Sequence, residues 1–408
     1  MERIIFHIDV NNAFLSWTAV NLLKKGYKQD IRKIPSIIGG DESKRHGIVL
    51  AKSPVAKKMG IVTAETIYSA KKKCKNLQMF EPDFKLYNEQ SNLMYEYLTQ
   101  YTPNIERFSV DECFLDMTGT NLIYKDYVEL AYHIKDEIKE KYGFTVNVGI
   151  ANNKLCAKMA SDFEKPDKVH TLFQNEIEQK LWPLPVGELF MVGKKTAAIL
   201  NKYNIKIIKD LATANMSLLK DHFKNQAQFL KDSANGIDYS EVISKSTKCT
   251  SISTTETLPY DYKDINKLKE ILFIQAEEVS RRLRKQQEYA STVAVIYKNN
   301  LFENYTRQTK MAKQTNQTID IYNEAINILE STWKRDPIRL IGIRISGFSE
   351  KKEEQISLFD INMEETDKNE DFQNIIDSIN DKFGKNSVVP ASIKKINIDN
   401  NEKNKKNK

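Results

Sequence analysis

Residues 105–119, IERFSVDECFLDMTG, decide the reading of this chain. They read as two short strand halves around a bend, with adjacent carboxylates, Asp111 and Glu112, between Val110 and Cys113. Acidic side chains rarely take such apolar flanks, because a carboxylate withdrawn from water needs a counter-charge. Asp9 stands in the same setting, between Ile8 and Val10 near the end of IIFHIDV (4–10), a short buried strand. Something positive should meet these three acids. A pair of Mg²⁺ ions does so naturally, since hard cations take carboxylate and backbone carbonyl oxygens. No histidine is read as part of the set, which argues against zinc or iron. The alternative is that Asp111 and Glu112 brace a hairpin turn and pair with lysines.

Outward from these acids, FLSWTAVNLLKKG (14–26) reads as a helix with Phe14, Trp17 and Leu22 on its apolar stripe and Gly26 as its stop. Helices are also expected over 86–101, 126–141 and the NNKLCAKMASDFEKP run, and FTVNVGIA (144–151) is a buried strand. Three strands with two helices between them predict an α+β domain on an antiparallel or mixed sheet. No glycine fingerprint of a dinucleotide or phosphate-loop fold follows any strand, and strand–helix repetition stops near residue 170, which excludes a TIM barrel. Residues 171–235 read as helical, 236–250 as a polar tether, and 251–350 as a second α+β unit. In that unit STVAVIYK and IRLIGIRISGF are strands around the helix NEAINILESTW. The remainder is polar and then Lys/Asn-rich.

The 408 residues carry 62 basic and 55 acidic side chains, a net charge of +7. That permits a polyanionic partner without demanding one. Residues 41–75 hold nine Lys or Arg against three acids, a local balance of +6. Cys74, Cys113, Cys156 and Cys249 lie far apart with no CxxC, and are read as four buried thiols in a reducing compartment. With no leader-like start and no apolar run long enough to span a bilayer, the chain is expected in the cytoplasm.

HIDVNNAF, SVDECFLD and NVGIANNKLCAKMASDFEKP together resemble the active-site segments of the Y-family DNA polymerases, the lesion-bypass enzymes of DinB and UmuC type. Order and spacing agree over about residues 1–360. The resemblance implies a multidomain α+β right hand: palm at 1–12 and 83–172, small fingers at 13–82, a helical thumb at 173–240, a linker at 241–250, a C-terminal α+β little finger at 251–350, and a tail at 351–408. It implies template-directed addition of deoxynucleoside triphosphates to a primer 3′-hydroxyl on primer–template DNA, with low fidelity and low processivity. By position Asp9, Asp111 and Glu112, with the Val10 carbonyl, would hold two Mg²⁺ ions. The family often has Asp two residues beyond the first ligand, where this chain has Asn11.

Phe14 aligns with the aromatic gate against a 2′-hydroxyl; the plainer reading is a core phenylalanine. Lys165 matches the palm lysine on the triphosphate. The fingers' usual tyrosine and arginine are Pro54 and Lys57 here, so one phosphate contact is missing unless Ser53 or Lys52 supplies it. Lys52, Lys154 and Lys158 read equally well as solvated surface or as DNA contacts. LFMVGKKTAAILNKYNI resembles a helix–hairpin–helix in which Gly193, Lys194, Lys195 and Thr196 would hold a DNA phosphate, although Met191 stands where the first glycine is usual. In the little finger, Arg281, Arg282, Arg284, Arg339 and Arg344 would grip the DNA backbone. Gln355, Ile356, Ser357, Leu358 and Phe359 resemble the peptide that binds the bacterial sliding clamp. A monomer is expected. The competing reading is a non-catalytic or activator-dependent accessory protein that binds DNA and the clamp; a two-metal nuclease or nucleotidyl cyclase is disfavoured by the thumb-like and little-finger-like segments.

Overall fold

The computed structural model describes residues 2–40, 47–244, 248–350, 375–379, 382–384 and 387–388. The chain divides into two compact units, the first running to Ser246 and the second beginning at Thr247. In chain order the first unit contains β1 (Ile5–Val10), α1 (Ala13–Lys24), β2 (Ser36–Gly39), β3 (Val49–Lys52), α2 (Pro54–Lys58), α3 (Ile67–Lys73), β4 (Gln78–Phe80), α4 (Phe84–Leu98), β5 (Ile105–Arg107), β6 (Glu112–Asp116), α5 (Tyr127–Tyr142), β7 (Val146–Ala151), α6 (Lys154–Asp162) and β8 (Val169–Thr171). Four short helices follow, α7 (Lys194–Lys202), α8 (Ile208–Thr213), α9 (Met216–Phe223) and α10 (Gln226–Ala234). The second unit comprises β9 (Ser251–Tyr262), α11 (Ile265–Lys285), β10 (Tyr289–Asn299), β11 (Asn304–Thr315), α12 (Thr318–Thr332) and β12 (Ile338–Ser349).

The principal sheet has the order β5-β6-β1-β7-β8 and is antiparallel except for the parallel β7–β8 pair. Central β1 is buried along its whole length. Strand alternation splits it into two faces. Phe6, Ile8 and Val10 join Trp17, Tyr87, Leu98, Ile134 and Phe144 in one core. Ile5 lies on the opposite face, packed with α6 and the thumb-like helices, and His7 and Asp9 share that face. Side-chain caps start the helices around the sheet: Asp83 accepts from Leu86 N at 3.0 Å, Asp126 from Val128 N at 2.8 Å, and Asn153 from Cys156 N at 2.8 Å. Helix α5 stops at Gly143, whose φ of 79° only glycine adopts freely.

A small sheet of order β3-β2-β4 within residues 36–80 was not legible in the sequence. Its strands are three or four residues long, too short to show a period. In the second unit a four-stranded sheet of order β11-β10-β12-β9 packs through Val293, Val295, Ile341, Ile343 and Ile345 on α11 and α12.

Two expectations need correction. Cys249 is exposed, so only three of the four thiols are buried. The beginning of the presumed tether is fastened: Asp238 accepts from Leu155 N at 3.0 Å, Arg3 donates to the Ser240 carbonyl at 3.0 Å, and Glu106 accepts from Ile243 N at 2.7 Å. Its polar composition reflects these partners as much as solvent.

Helix α6 lies so close to β7 that a Cβ on Gly149 would fall 1.9 Å from the Ala157 carbonyl oxygen and 2.6 Å from Ser161 N. Backbone cannot yield as a flexible side chain would. Gly149→Ala should therefore destabilise the first unit by about 1–3 kcal/mol. Thermal unfolding would register this as a lowered Tm; an unchanged Tm would contradict the close approach.

Candidate active site

The β1–β6 register sets Asp9 directly opposite Glu112, and the β1–β7 register sets Asp9 opposite Asn147. Asp111 falls in the bend just before β6 rather than inside a strand. Its carbonyl accepts from Val10 N at 3.0 Å, and its carboxylate accepts from Ser109 Oγ at 2.7 Å. The three acids from the opening stretches thus gather at one edge of the sheet face covered by α6.

Lysines meet two of them. Lys165 forms an ion pair with Asp9 and another with Asp162 at 2.7 Å. Lys158 donates to Glu112 Oε1 at 2.6 Å and is itself buried. In the sequence Lys158 reads equally as surface or as a DNA contact; the approach of α6 to the sheet sets it against Glu112 instead. Burial pushes the Asp9 carboxyl up to about 6, with Glu112 and Asp111 adding to the rise and Lys165 opposing it. For Lys165 burial acts in the other direction, but the Asp9 charge and the bonds to Asp162 and Asp9 outweigh it, and its ammonium is held above the ordinary range.

A histidine does accompany the set. His7 is fully buried two residues before Asp9, with Nδ1 2.7 Å from Ser161 Oγ and Nε2 3.9 Å from Glu112 Oε2. Burial, then the charges of Lys158 and Lys165, hold its pKa well below the usual value, so the ring is neutral. Nε2 has no hydrogen-bond partner among the described residues.

No group of three or more acidic, His or Cys side chains among the described residues stands closed around a metal-sized point. The donor chemistry nonetheless fits magnesium. It offers carboxylates and a backbone carbonyl, all oxygen, and two of the acids already hold cationic partners in Lys165 and Lys158.

Phe14 lies on the first turn of α1, stacked on Tyr87 with ring centroids 4.5 Å apart and planes 7° from parallel. Tyr87 is anchored in turn by its hydroxyl, 3.0 Å from Thr18 Oγ1. Lys57 is exposed on α2, and Pro54 is the first residue of that helix. Ser53 is the buried cap, accepting from Ala56 N at 3.0 Å and Ser36 N at 3.2 Å, so it is occupied locally. Lys52 donates to Thr63 Oγ1 at 2.8 Å, and burial followed by the neighbouring Lys57 charge lowers its pKa.

Gly193 caps α7 without a side-chain cap, and among the described residues no side chain bonds to the first-turn N–H groups of Lys194, Lys195 and Thr196. Met191 is exposed and takes a left-handed φ of 70°, the conformation for which glycine is usual.

In the second unit Arg281 and Arg282 both pair with Glu278, at 3.2 and 2.8 Å. Arg284 corrects the expectation of a DNA-facing group. It is buried, donates to Asp377 at 2.7 and 3.1 Å and to the Asn316 carbonyl at 2.8 Å, and so has its fork filled from within. Arg339 lies over the Phe302 ring at 4.8 Å. Arg344 alternates with Ile343 and Ile345 and thus points away from the helices, on the same sheet face as Lys298 and Lys310. The sequence does not single out these two lysines, because only the register of β10, β11 and β12 brings them onto one face with Arg344. Gln355–Phe359 lie outside the described residues.

A palm-like sheet whose acids meet two lysines from α6 and the loop behind it, followed by a helical segment and a separate α+β unit, is the arrangement of a right-hand nucleotidyltransferase. The impB/mucB/samB family model matches residues 8–162, its C-terminal domain residues 250–358, and the IMS family HHH motif residues 175–205. DNA polymerase IV of Clostridium acetobutylicum is 46% identical over 95% of this chain and 98% of its own length. DNA polymerase IV 2 of Bacillus subtilis is 32% identical over 96% and 94%. A solved Y-family DNA polymerase chimera, Dbh-Dpo4(243-245)-Dbh, shares the fold at a TM-score of 0.72 and 23% identity, over 84% of this chain and 98% of the chimera.

The chain belongs to the Y family of DNA polymerases, in its DNA polymerase IV branch. It is a DNA-directed DNA polymerase whose activity is template-directed synthesis of the translesion kind. Mg²⁺-dependent catalysis is typical of this family. Among the described residues no helix is long and apolar enough to cross a membrane.

The raised Asp9 pKa has a measurable consequence. The folded chain holds this proton more tightly than an unfolded aspartate of ordinary value 3.8. Its contribution to stability is therefore complete below 3.8 and lost as pH rises to about 6. In metal-free buffer the wild type should lose stability relative to Asp9→Asn across that window. Parallel thermal-unfolding curves for the two proteins would contradict the buried-carboxylate assignment.

Proposed function

We propose that Asp9, Asp111 and Glu112, with the Val10 carbonyl, hold two Mg²⁺ ions. The observation that carries this reading is the cross-strand pairing of Asp9 with Glu112, with Asp111 at the adjoining bend. Such ions supply activation of the primer 3′-hydroxyl and neutralisation of the departing pyrophosphate. The protein's side chains do the rest. Lys165, with Lys57 and the adjacent Lys52, binds the triphosphate; lysine provides charge here, without the bidentate fork of arginine. Phe14, backed by the Tyr87 ring, blocks space for a 2′-hydroxyl and selects deoxynucleotides.

Residues 1–12 and 83–172 act as palm, 13–82 as fingers, 173–240 as thumb and 251–350 as little finger. The open first turn of α7, from Gly193 to Thr196, holds a backbone phosphate. Arg281, Arg282, Arg339 and Arg344 contact the DNA backbone, with Lys298 and Lys310 beside Arg344. Small fingers exert little shape pressure on the nascent pair, hence low fidelity; few phosphate contacts make for low processivity. Gln355–Phe359 recruit the sliding clamp, and the enzyme works as a cytoplasmic monomer.

Single-nucleotide extension of a labelled primer–template with Mg²⁺ and each deoxynucleotide in turn tests the centre. Matched addition with frequent mismatches is expected from the wild type. Asp111→Ala should abolish extension while leaving duplex affinity within a few-fold; retained extension would defeat the metal assignment.

The clamp peptide makes a separate prediction. Replacing Ile356, Leu358 and Phe359 by alanine should eliminate binding to purified clamp and shorten clamp-dependent products, with clamp-free extension unchanged. Undiminished clamp binding would place the contact elsewhere.

A further inference from the structure

The loop that carries Lys165 is anchored from beneath by two buried asparagines. Asn147 is fully buried on β7, and its Nδ2 donates to the carbonyls of Ser161 at 2.9 Å and Glu164 at 2.6 Å. Its Oδ1 accepts from Asn11 Nδ2 at 3.0 Å and from Lys168 N at 3.2 Å. Asn11, also buried, uses Oδ1 to accept from Asp167 N at 2.9 Å. Residues 161–168 are therefore clasped at four backbone points, on both sides of Lys165. The far end is held again, because the Asp167 carboxylate accepts from Lys135 at 2.9 Å and Lys139 at 2.7 Å.

The orientation of both amides is dictated by their partners. Turning the Asn147 amide over would aim its oxygen at two carbonyls and its NH₂ at two donors. Asn147 must therefore present an acceptor to residue 11, and residue 11 must offer it a donor while offering an acceptor to Asp167 N. Asparagine meets both demands. An aspartate at position 11 would set its oxygen against the Asn147 oxygen.

We propose that Asn11 and Asn147 are positioning residues for Lys165. The directional amide pair fixes the loop so that the ammonium reaches the triphosphate, and asparagine rather than aspartate at position 11 is a requirement of this chain. The inference rests on the assignment of Lys165 to the triphosphate. Both asparagines are buried, and their amides are directed to each other and to the loop backbone.

A double-mutant cycle with single-turnover kinetics tests it, reading nucleotide KM and kcat separately together with primer–template affinity. Asn11→Asp should raise KM for the matched deoxynucleotide about tenfold, with kcat within about threefold and DNA affinity unchanged. Lys165→Ala should raise KM at least as much, and adding Asn11→Asp to it should bring no further loss. The milder Asn11→Ala enters the same cycle if the aspartate variant does not fold. Additive effects, or an unchanged KM in Asn11→Asp and Asn11→Ala while Lys165→Ala is impaired, would overturn the positioning role and leave the triphosphate assignment standing. An unchanged KM in Lys165→Ala would overturn both.

Discussion

The rest of the structure depends on the cost of holding Asp9 on a buried central strand. A carboxylate stripped of water is tolerated only beside positive charge or strong donors. The protein meets that need by covering one face of its main sheet with α6 and the loop behind it, which bring Lys158 to Glu112 and Lys165 to Asp9. The opposite face is apolar throughout and supports the acids without competing for them. A strand with two such different faces needs helices on both sides, and this accounts for the layering of the first unit.

The candidate site sets three acids against two lysines before any ligand arrives. Here the raised Asp9 pKa shows that the balance is incomplete: burial outweighs what one lysine supplies. The residual strain favours a further cation at this edge of the sheet. His7 sharpens the point, since a neutral imidazole whose Nε2 has no hydrogen-bond partner among the described residues leaves Glu112 dependent on Lys158. Neutral amides do the complementary work. The Asn11–Asn147 pair orders the Lys165 loop without adding charge to a site that already holds several.

Much of the site was readable because apolar flanks make acids conspicuous. Asp9, Asp111 and Glu112 stood out for that reason, and the strands bearing or adjoining them were equally plain. Lys158 and Lys165 look alike in sequence, each a lysine on or just after a helix. Only the closeness of α6 to β7, permitted by Gly149, turns Lys158 inward. Arg284 fails in the opposite sense. It sits in a basic run that suggests a DNA-facing surface, yet its position on α11 faces the core and the segment around Asp377, 93 residues away.

The sequence by itself determined the family, the α+β class, the three acids and the order of the segments, because these rest on local pattern and short motifs. Tertiary structure decided which charge meets which. The Asp9–Glu112 register, the clasp between Asn11 and Asn147, and the enclosure of Arg284 join residues separated by roughly a hundred positions or more. Such pairings depend on strand register and helix approach. Periodicity can orient a face, but it does not name the partner across it.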